Sequence, residues 1–134
     1  MTNPTCPEDI KPTRTADFHE ILAVAKLYTD AIRTSNPEYI HKSFHKDATM
    51  CGHIGPDFAN GPATGLLEIM KEKGPEPSLI SHLHILSTTP TTAIVEVDAE
   101  VDTVGFRDHL CMAKVDGRWQ VMTKLYHLYE KKRA

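Results

Sequence analysis

Apolar residues recur every three or four positions between residues 17 and 35, which is the spacing of one buried stripe along a helix. The residues of this stripe are Phe18, Ile21, Leu22, Ala25, Tyr28 and Ile32. Asp17, followed three positions later by Glu20, resembles a capping box at a helix start. The pattern predicts a long helix over residues 17–35, with Tyr28 in its middle and directed at the core.

Two shorter helices are expected after the long one. Asn36 is suited to cap a helix and Pro37 to occupy its first position, so a second helix should end near Phe44. A third helix over residues 66–73 should stop at Gly74, which is followed by a proline. The chain therefore begins with helical segments.

The remaining segments alternate between apolar and polar residues, which is typical of strands. Residues 52–65 are rich in Gly and Pro and are expected to form a loop, whereas residues 78–88, 91–103 and 106–127 are expected to be strands. Helices first and antiparallel strands afterwards predict an α+β fold, in which the helices cover one side of a curved antiparallel sheet.

The last two strands are predicted to form a hairpin around Asp116–Gly117, a pair suited to a two-residue type I′ turn. Counting outward from that turn places Asp108 opposite Leu125 and Phe106 opposite His127. The same predicted face also carries Leu110, Met112, Trp119, Val121 and Thr123. This face is mostly apolar and is expected to be the buried one.

Asp108 and His127 then lie diagonally across the buried face, roughly 7–8 Å apart at the backbone. One interpretation is a functional pair, in which the carboxylate orients the imidazole for proton transfer or ligand binding. The other is that the two groups satisfy each other's hydrogen bonds, as buried polar groups usually do. The sequence leaves both interpretations open.

Composition limits the size of the protein and its classes of partner. With 134 residues, of which 40% are hydrophobic and 25% charged, the chain should form one domain over residues 17–130, after a flexible arm at residues 1–16. A net charge of −3 without an extended basic run argues against nucleic acid. The arm contains three prolines and no apolar segment, which argues against a membrane span. A small-molecule ligand is the expected partner.

The three cysteines, Cys6, Cys51 and Cys111, are odd in number and lack the spacing of a metal site. Free thiols fit the reducing cytoplasm better than secretion. Neither Cys51 nor Cys111 has the neighbouring base that a catalytic nucleophile needs. We therefore expect a cytoplasmic protein without cysteine chemistry.

A metal site is a weaker candidate in the strand region. His82 and His84 share a predicted face with Glu96 and Asp98, and these are suitable ligand types for zinc. Cross-strand histidine–carboxylate pairs on a solvated or dimer-forming face explain the same residues. We expect no metal.

The order of elements, together with particular residues, resembles the nuclear-transport-factor-2-like superfamily and, more narrowly, its branch called "putative lumazine-binding". The resemblance covers about residues 17–129 and is carried by Tyr28, residues 44–49 and the hairpin from Asp108 to Lys124. It implies a cone, in which a bent sheet wraps a long helix around a mostly apolar pocket, and commonly a homodimer through the sheet. The pocket lining is then expected to include Leu110, Met112, Trp119, Val121, Thr123 and Leu125.

Within the superfamily, the ketosteroid isomerases offer a residue-by-residue comparison. Their oxyanion-hole tyrosine matches Tyr28, and their protonated aspartate matches Asp108, or His109 if the alignment follows the hairpin glycine. The position of their catalytic base matches Gly52, which has no side chain, and His53 lies next to it. The resemblance thus implies the pocket without the complete isomerase mechanism.

Three functions are compatible with these features. The first is a small-molecule binding protein with an apolar pocket inside the cone. The second is a cofactor-independent isomerase or lyase, of cyclase or dehydratase type, that uses Asp108, His127, Tyr28 and His53 on a small cyclic or polyketide-like substrate. The third is a dimeric interaction module without catalysis.

Overall fold

The structure, a computed structural model, describes residues 13–130. This part contains three helices, α1 (Thr15–Thr34), α2 (Pro37–Ser43) and α3 (Gly65–Lys73). The strands are β1 (Phe44–Ile54), β2 (Asp57–Pro62), β3 (Ile80–Thr88), β4 (Thr92–Glu100), β5 (Val104–Val115) and β6 (Arg118–Glu130). The predicted arm lies outside the described residues up to residue 12, and Thr15 and Ala16 already belong to α1.

The six strands form one open sheet in the order β2-β1-β6-β5-β4-β3. The predicted α+β cone is confirmed, with one exception to its antiparallel pairing, because β1 runs parallel to β6. Helix α1 lies against the inner face of the sheet, where Ile21, Ala25 and Tyr28 are fully buried. No helix within residues 13–130 is long and apolar enough to cross a membrane.

The start of α1 differs from the predicted capping box. The helix begins two residues before Asp17, and its N-cap residue makes no side-chain cap. The Asp17 carboxylate instead accepts hydrogen bonds from Trp119 Nε1 at 3.0 Å and from Lys114 Nζ at 3.1 Å. Glu20 accepts from the backbone N–H of Trp119 at 3.0 Å. The acidic pair therefore ties α1 to the β5–β6 hairpin.

The two shorter helices follow their predicted caps. The Asn36 side chain accepts a hydrogen bond from the Glu38 backbone N–H at 3.0 Å, and Pro37 occupies the first helical position. Helix α3 ends at Gly74, whose φ of 70° is easily adopted only by glycine. These local sequence features were sufficient to predict both helices.

The expected loop at residues 52–65 is wrong. β1 continues to Ile54, the chain turns at Gly55 with a φ of 59°, and β2 pairs antiparallel with β1 from Asp57 onward. β2 is an edge strand and is mostly exposed, so its Gly and Pro residues do not interrupt a buried ladder.

The predicted shared face of His82 and His84 with Glu96 and Asp98 is confirmed, because His82 pairs with Asp98 and His84 with Glu96. Leu83 pairs with Val97 and Ile85 with Val95, and both valines are fully buried. The histidines of β3 therefore lie on the opposite, outer face of the sheet.

The β5–β6 hairpin agrees with its prediction only near the turn. Asp116 and Gly117 have φ values of 51° and 77°, as a type I′ turn requires, and Met112 pairs with Val121. Beyond that pair, Cys111 faces Thr123, so β6 carries one extra residue, Met122. This β-bulge shifts every later pair by one position.

The bulge exchanges the two faces of β6. Leu110 pairs with Lys124 rather than with Thr123, and Asp108 pairs with Tyr126 rather than with Leu125. The inner face consequently carries Lys124, Tyr126 and Leu128, while Thr123, Leu125 and His127 lie on the outer face.

Candidate functional site

A cavity of about 250 Å³ opens between helices α1 and α3 and the inner face of β1, β5 and β6. Its apolar walls include Ile32, Met50, Ile54, Leu66, Met70, Phe106 and Leu128. Glu72, Lys73 and Glu76 lie at its edge, and Tyr28, Asp108, Lys124 and Tyr126 supply the other polar groups. Such a cavity suits a small apolar molecule with one polar end.

None of the six residues predicted to line the pocket borders this cavity. Four of them, Leu110, Met112, Trp119 and Val121, are buried in the core near the hairpin turn. Thr123 and Leu125 lie on the outer face, where the side chain of Leu125 is exposed. The turn end of the hairpin is filled by core packing, and the cavity lies toward the other end of the strands.

The polar groups of the cavity form a hydrogen-bonded chain across three elements. Tyr28, from the middle of α1, donates its Oη proton to Oδ2 of Asp108 on β5. Lys124 on β6 donates from Nζ to Tyr28 Oη at 3.0 Å. The Lys124 ammonium group also lies 5.1 Å from the ring centre of Tyr28 and 5.0 Å from that of Tyr126. A buried tyrosine thus links a carboxyl group to an amine.

Burial alters the acid–base properties of all three groups. It raises the pKa of the Asp108 carboxyl, against the opposing effect of the nearby Lys124 charge. It lowers the pKa of Lys124, again against the attraction of Asp108. The pKa of Tyr28 is raised well above its ordinary value by burial and by Asp108, so its phenol stays protonated. Desolvation thus favours the neutral form of each group.

One oxygen of Asp108 lacks a hydrogen-bond partner in the part of the chain that the structure describes. Among residues 13–130, Oδ1 of Asp108 is a buried side-chain oxygen without a hydrogen bond, although the residue lines the cavity. Leaving a buried acceptor unsatisfied costs about 1–3 kcal/mol. Such an exception is expected where an oxygen serves a ligand or a reaction.

The two histidines predicted for the site lie elsewhere. His127 pairs with Arg107 and His53 in the sheet, and both histidines are exposed on its outer face. Their rings are 6.4 Å apart, and His127 lies 5.8 Å from the ring of Tyr129. The predicted pairing of Asp108 with His127 is wrong, because the bulge turns His127 away from the cavity.

The alignment choice between Asp108 and His109 is settled by the sheet. Asp108 is fully buried and faces the cavity, whereas His109 lies on the outer face with Nε2 3.6 Å from Oε2 of Glu96. The aspartate therefore occupies the inner position that the resemblance assigned to a carboxyl group.

Gly52 occupies a position where β1 and β6 approach closely. A Cβ atom at Gly52 would lie 1.8 Å from the backbone oxygen of Tyr126 and 2.8 Å from Cδ1 of its ring. No side chain fits there, and the Tyr126 ring fills the adjoining space. A catalytic base at this position, as in the ketosteroid isomerases, is sterically excluded.

The histidines of β3 do not belong to a metal-binding cluster. The rings of His82 and His84 are 4.4 Å apart, and the two residues pair with Asp98 and Glu96 on β4. Within residues 13–130, no group of three or more His, Cys, Asp or Glu side chains is placed to hold a metal ion.

Sequence reasoning missed Lys124 and Tyr126 because it assumed an uninterrupted strand. One feature indicates the interruption. Val121 and Met122 are adjacent apolar residues, which break the alternation at the position of the bulge.

The model of a protein family described as "Putative lumazine-binding" matches residues 16–127. The chain belongs to this family. The match includes the Asp108–Tyr28–Lys124 chain and every residue of the cavity lining except Leu128.

Solved structures and a curated protein show further similarity. An NTF2-like protein of unknown function from Methylobacillus flagellatus is 28% identical, with a TM-score of 0.78, over 87% of this chain and 94% of that one. A second, from Shewanella baltica, is 24% identical with the same TM-score over 88% and 98% of the two chains. The protein named Aldolase FrzH, from Cladobotryum sp, is 27% identical over 89% of this chain and 97% of its own length.

Proposed function

We propose that this member of the lumazine-binding family is a cofactor-independent lyase or isomerase. It binds a small, mostly apolar carbonyl compound inside the cone and moves a proton at the carbon next to the carbonyl group. The observation that carries the proposal is the buried chain of Asp108, Tyr28 and Lys124 at the cavity.

Asp108 is the group best suited to take and return the proton. Its Oδ2 is held by Tyr28, and its Oδ1 has no partner among residues 13–130. Burial raises its pKa toward the operating pH, where a carboxyl group works both as base and as acid. The apolar walls exclude water that would otherwise compete for the same proton.

Lys124 is the donor available to the carbonyl oxygen, because the single hydroxyl proton of Tyr28 is donated to Asp108. Lys124 borders the cavity, and its ammonium group has further N–H bonds besides the one directed at Tyr28. Donors fixed in an apolar site stabilise the negative charge that develops on a carbonyl oxygen during proton removal.

The named relative supports the same class of chemistry. Aldolase FrzH is similar along nearly its whole length. An aldol reaction requires removal of a proton next to a carbonyl group before a carbon–carbon bond forms. The proposed function for this chain therefore includes aldol-type carbon–carbon bond formation or cleavage.

Binding without turnover is the second candidate. The description of the family and the apolar walls of the cavity favour it. In that case Asp108 and Lys124 would orient a polar group of the ligand, and no proton would be exchanged.

Proton exchange separates the two candidates. Apolar aldehydes and ketones are first screened by thermal shift, and those that stabilise the protein are incubated with it in D₂O. Proton NMR should show deuterium entering next to the carbonyl group faster with wild type than with Asp108→Asn. The matched control is Asp47→Asn, which makes the same change at an exposed position and should retain the wild-type rate. Stabilisation by ketones without any protein-dependent exchange would favour the binding function.

Two further proposals concern the assembly of the protein and its compartment. We propose a symmetric dimer through the outer face of the sheet, where Leu125 and Ile94 are exposed. The free thiols of Cys51 and Cys111 support a reducing, cytoplasmic compartment.

A further inference from the structure

The geometry points to Lys124 as a nucleophile that bonds covalently to the carbonyl carbon of an aldehyde or ketone substrate. This inference rests on the proposed function and deepens it, since proton transfer at Asp108 alone requires no covalent intermediate. It is drawn from the hydrogen-bond directions around Tyr28, the surroundings of the amine and the position of both beside the cavity.

The hydrogen-bond directions provide a route for converting the ammonium group into a free amine. Lys124 donates to Tyr28 Oη, and Tyr28 donates to Asp108 Oδ2. If each proton moves one step along this chain, Lys124 becomes an amine, Tyr28 is unchanged and Asp108 becomes a carboxylic acid. The net charge of the site stays the same, but an ion pair is replaced by neutral groups.

The surroundings of Lys124 favour the neutral state. Lys124 is nearly fully buried, and within residues 13–130 no carboxylate accepts a hydrogen bond directly from it. The two aromatic rings near its Nζ favour the charged form, and the loss of hydration on burial opposes them. A lysine removed from water in an apolar pocket is the kind that forms imines with carbonyl compounds. Burial also lowers the pKa of the Lys124 amine, which favours the neutral form.

Two other lysines differ from Lys124 in their burial or in their access to the cavity. Lys114 is half-buried, and its Nζ lies 3.1 Å from the carboxylate of Asp17. Lys73 lies at the edge of the same cavity but is exposed to water. Lys124 combines access to the cavity with burial.

The covalent steps balance with the groups present. The Nζ lone pair bonds to the carbonyl carbon as the C=O π bond breaks, and a proton passes from the nitrogen through Tyr28 to the new alkoxide oxygen. The Asp108 carboxylic acid then protonates that hydroxyl group, which leaves as water and gives an iminium ion. The Asp108 carboxylate takes the proton from the adjacent carbon, which yields an enamine.

The remaining steps of the cycle need only water and, for the aldol reaction, a second carbonyl substrate. The enamine regains its proton at carbon from Asp108, or it attacks a second carbonyl group whose oxygen takes that proton. One water molecule then hydrolyses the resulting iminium ion, returns a proton to Asp108 and releases the free amine of Lys124.

The test uses pentane-2,4-dione, a diketone that condenses with free amines and not with ammonium groups, and forms a conjugated enaminone that absorbs in the ultraviolet. The intact wild-type protein should gain the mass of one probe molecule minus one water. Peptide mapping should place the adduct on Lys124. Labelling at Lys124 should be faster than at the exposed Lys46, because burial lowers the pKa of Lys124 and so raises the fraction of free amine at that residue.

Variants add a second measurement. Lys124→Arg and Lys124→Met should lose the fast adduct, whereas Lys46→Met should keep it, with circular dichroism confirming the fold of each. Tyr28→Phe should slow labelling of Lys124, because it interrupts the route by which the proton leaves the amine.

The inference is overturned if wild type gains no adduct at Lys124, or if Lys124 reacts no faster than Lys46. That result leaves the proposed function standing provided that wild type still exchanges deuterium next to a carbonyl group and Asp108→Asn does not. Loss of the exchange as well would contradict both proposals.

Discussion

Tyr28 holds together two groups that would be costly to bury separately. It comes from a helix, while its partners Asp108 and Lys124 lie diagonally on neighbouring strands. A buried carboxyl group and a buried amine each lose hydration, and a shared hydroxyl group returns a hydrogen bond to both. The stability of the site and its chemistry therefore depend on the same phenol.

Replacing Tyr28 with phenylalanine tests this dependence. Tyr28→Phe removes the Oη group from between Asp108 and Lys124, and we expect the free energy of unfolding to fall by about 1–3 kcal/mol. Urea denaturation measures the change. Tyr129→Phe removes a hydroxyl group from an exposed tyrosine and should change stability by no more than about 0.5 kcal/mol. Equal effects of the two substitutions would contradict the structural role of Tyr28.

The raised pKa of Asp108 predicts an unusual dependence of stability on pH. Above pH 3.8, the ordinary pKa of an aspartate side chain, the unfolded chain loses this proton while the folded protein retains it. The folded state then binds more protons, so stability falls as pH rises toward the raised pKa, by up to about 1.4 kcal/mol per pH unit. Relative to Asp108→Asn, wild type should lose stability in urea titrations as pH rises above 3.8, until the raised pKa of Asp108 is passed.

Asp17 supplies a control of opposite sign. Its pKa is lowered, chiefly by the hydrogen bond from Trp119, so its contribution is present above pH 3.8 and is lost as pH falls through the lowered value. Relative to Asp17→Asn, wild type should gain stability as pH rises through that acidic range. The prediction for Asp108 fails if both aspartates give slopes of the same sign.

At the residue scale, sequence patterns were sufficient where one local rule decides the position. Helical spacing correctly placed Tyr28 in the core, and the hairpin pattern correctly placed Asp108 on the buried face. The same counting failed for His127 and missed Lys124, because side chains alternate between faces and one unpaired residue reverses all that follow.

Among the elements, β1 and β6 form the contact on which the cavity wall depends. They are parallel neighbours and come from distant parts of the chain, so no turn fixes their register. At Gly52 the strand approaches Tyr126 so closely that a methyl group would overlap the backbone. The close approach of β1 and β6 that forms the cavity wall therefore requires a glycine at position 52.

A glycine-to-alanine pair tests this contact. Gly52→Ala places a Cβ atom 1.8 Å from the Tyr126 carbonyl oxygen, and we expect a loss of more than about 2 kcal/mol of stability, at the upper part of the range for overpacking. Gly61→Ala, in the edge strand β2, meets nothing within 4 Å and should be nearly neutral. Thermal melts of both variants measure the loss of stability. If Gly52→Ala is as stable as wild type, β1 and β6 lie farther apart than in the structure.

The elements differed in how well their sequences identified them. Helices α2 and α3 were predicted from their caps and terminators, since these signals act within a few residues. β2 was missed because its Gly and Pro residues are tolerated only at a sheet edge, and the position of a strand in the sheet is a tertiary property. The parallel pairing of β1 with β6 likewise cannot be predicted from the sequence of either strand alone.

For the whole molecule, the two sides of the sheet have different roles. The inner side carries the core and the cavity, whereas the outer side exposes Leu125 and Ile94 among polar residues. Exposed apolar groups on a sheet face are what a symmetric dimer would cover.

Oligomeric state is the corresponding measurement. Light scattering at micromolar concentration should give twice the mass of one chain for wild type, and Leu125→Asp should shift the population toward the single chain. Leu22→Asp places the same charge on an exposed apolar position of α1 and should leave the dimer intact. Wild type with the mass of one chain would refute this assembly.

The extra residue at Met122 has a consequence for how this fold can diversify. Beyond the bulge, the inner face of β6 carries the amine of Lys124, the phenol of Tyr126 and the aliphatic side chain of Leu128. The outer face carries a hydroxyl group, an aliphatic group and an imidazole. The bulge determines which of the two sets faces the cavity. An ancestral or laboratory deletion of one codon there would exchange the whole set at once, an outcome that separate point substitutions would reach only through several intermediates. Length variation in this strand is therefore a mutational route to new chemistry on an unchanged scaffold.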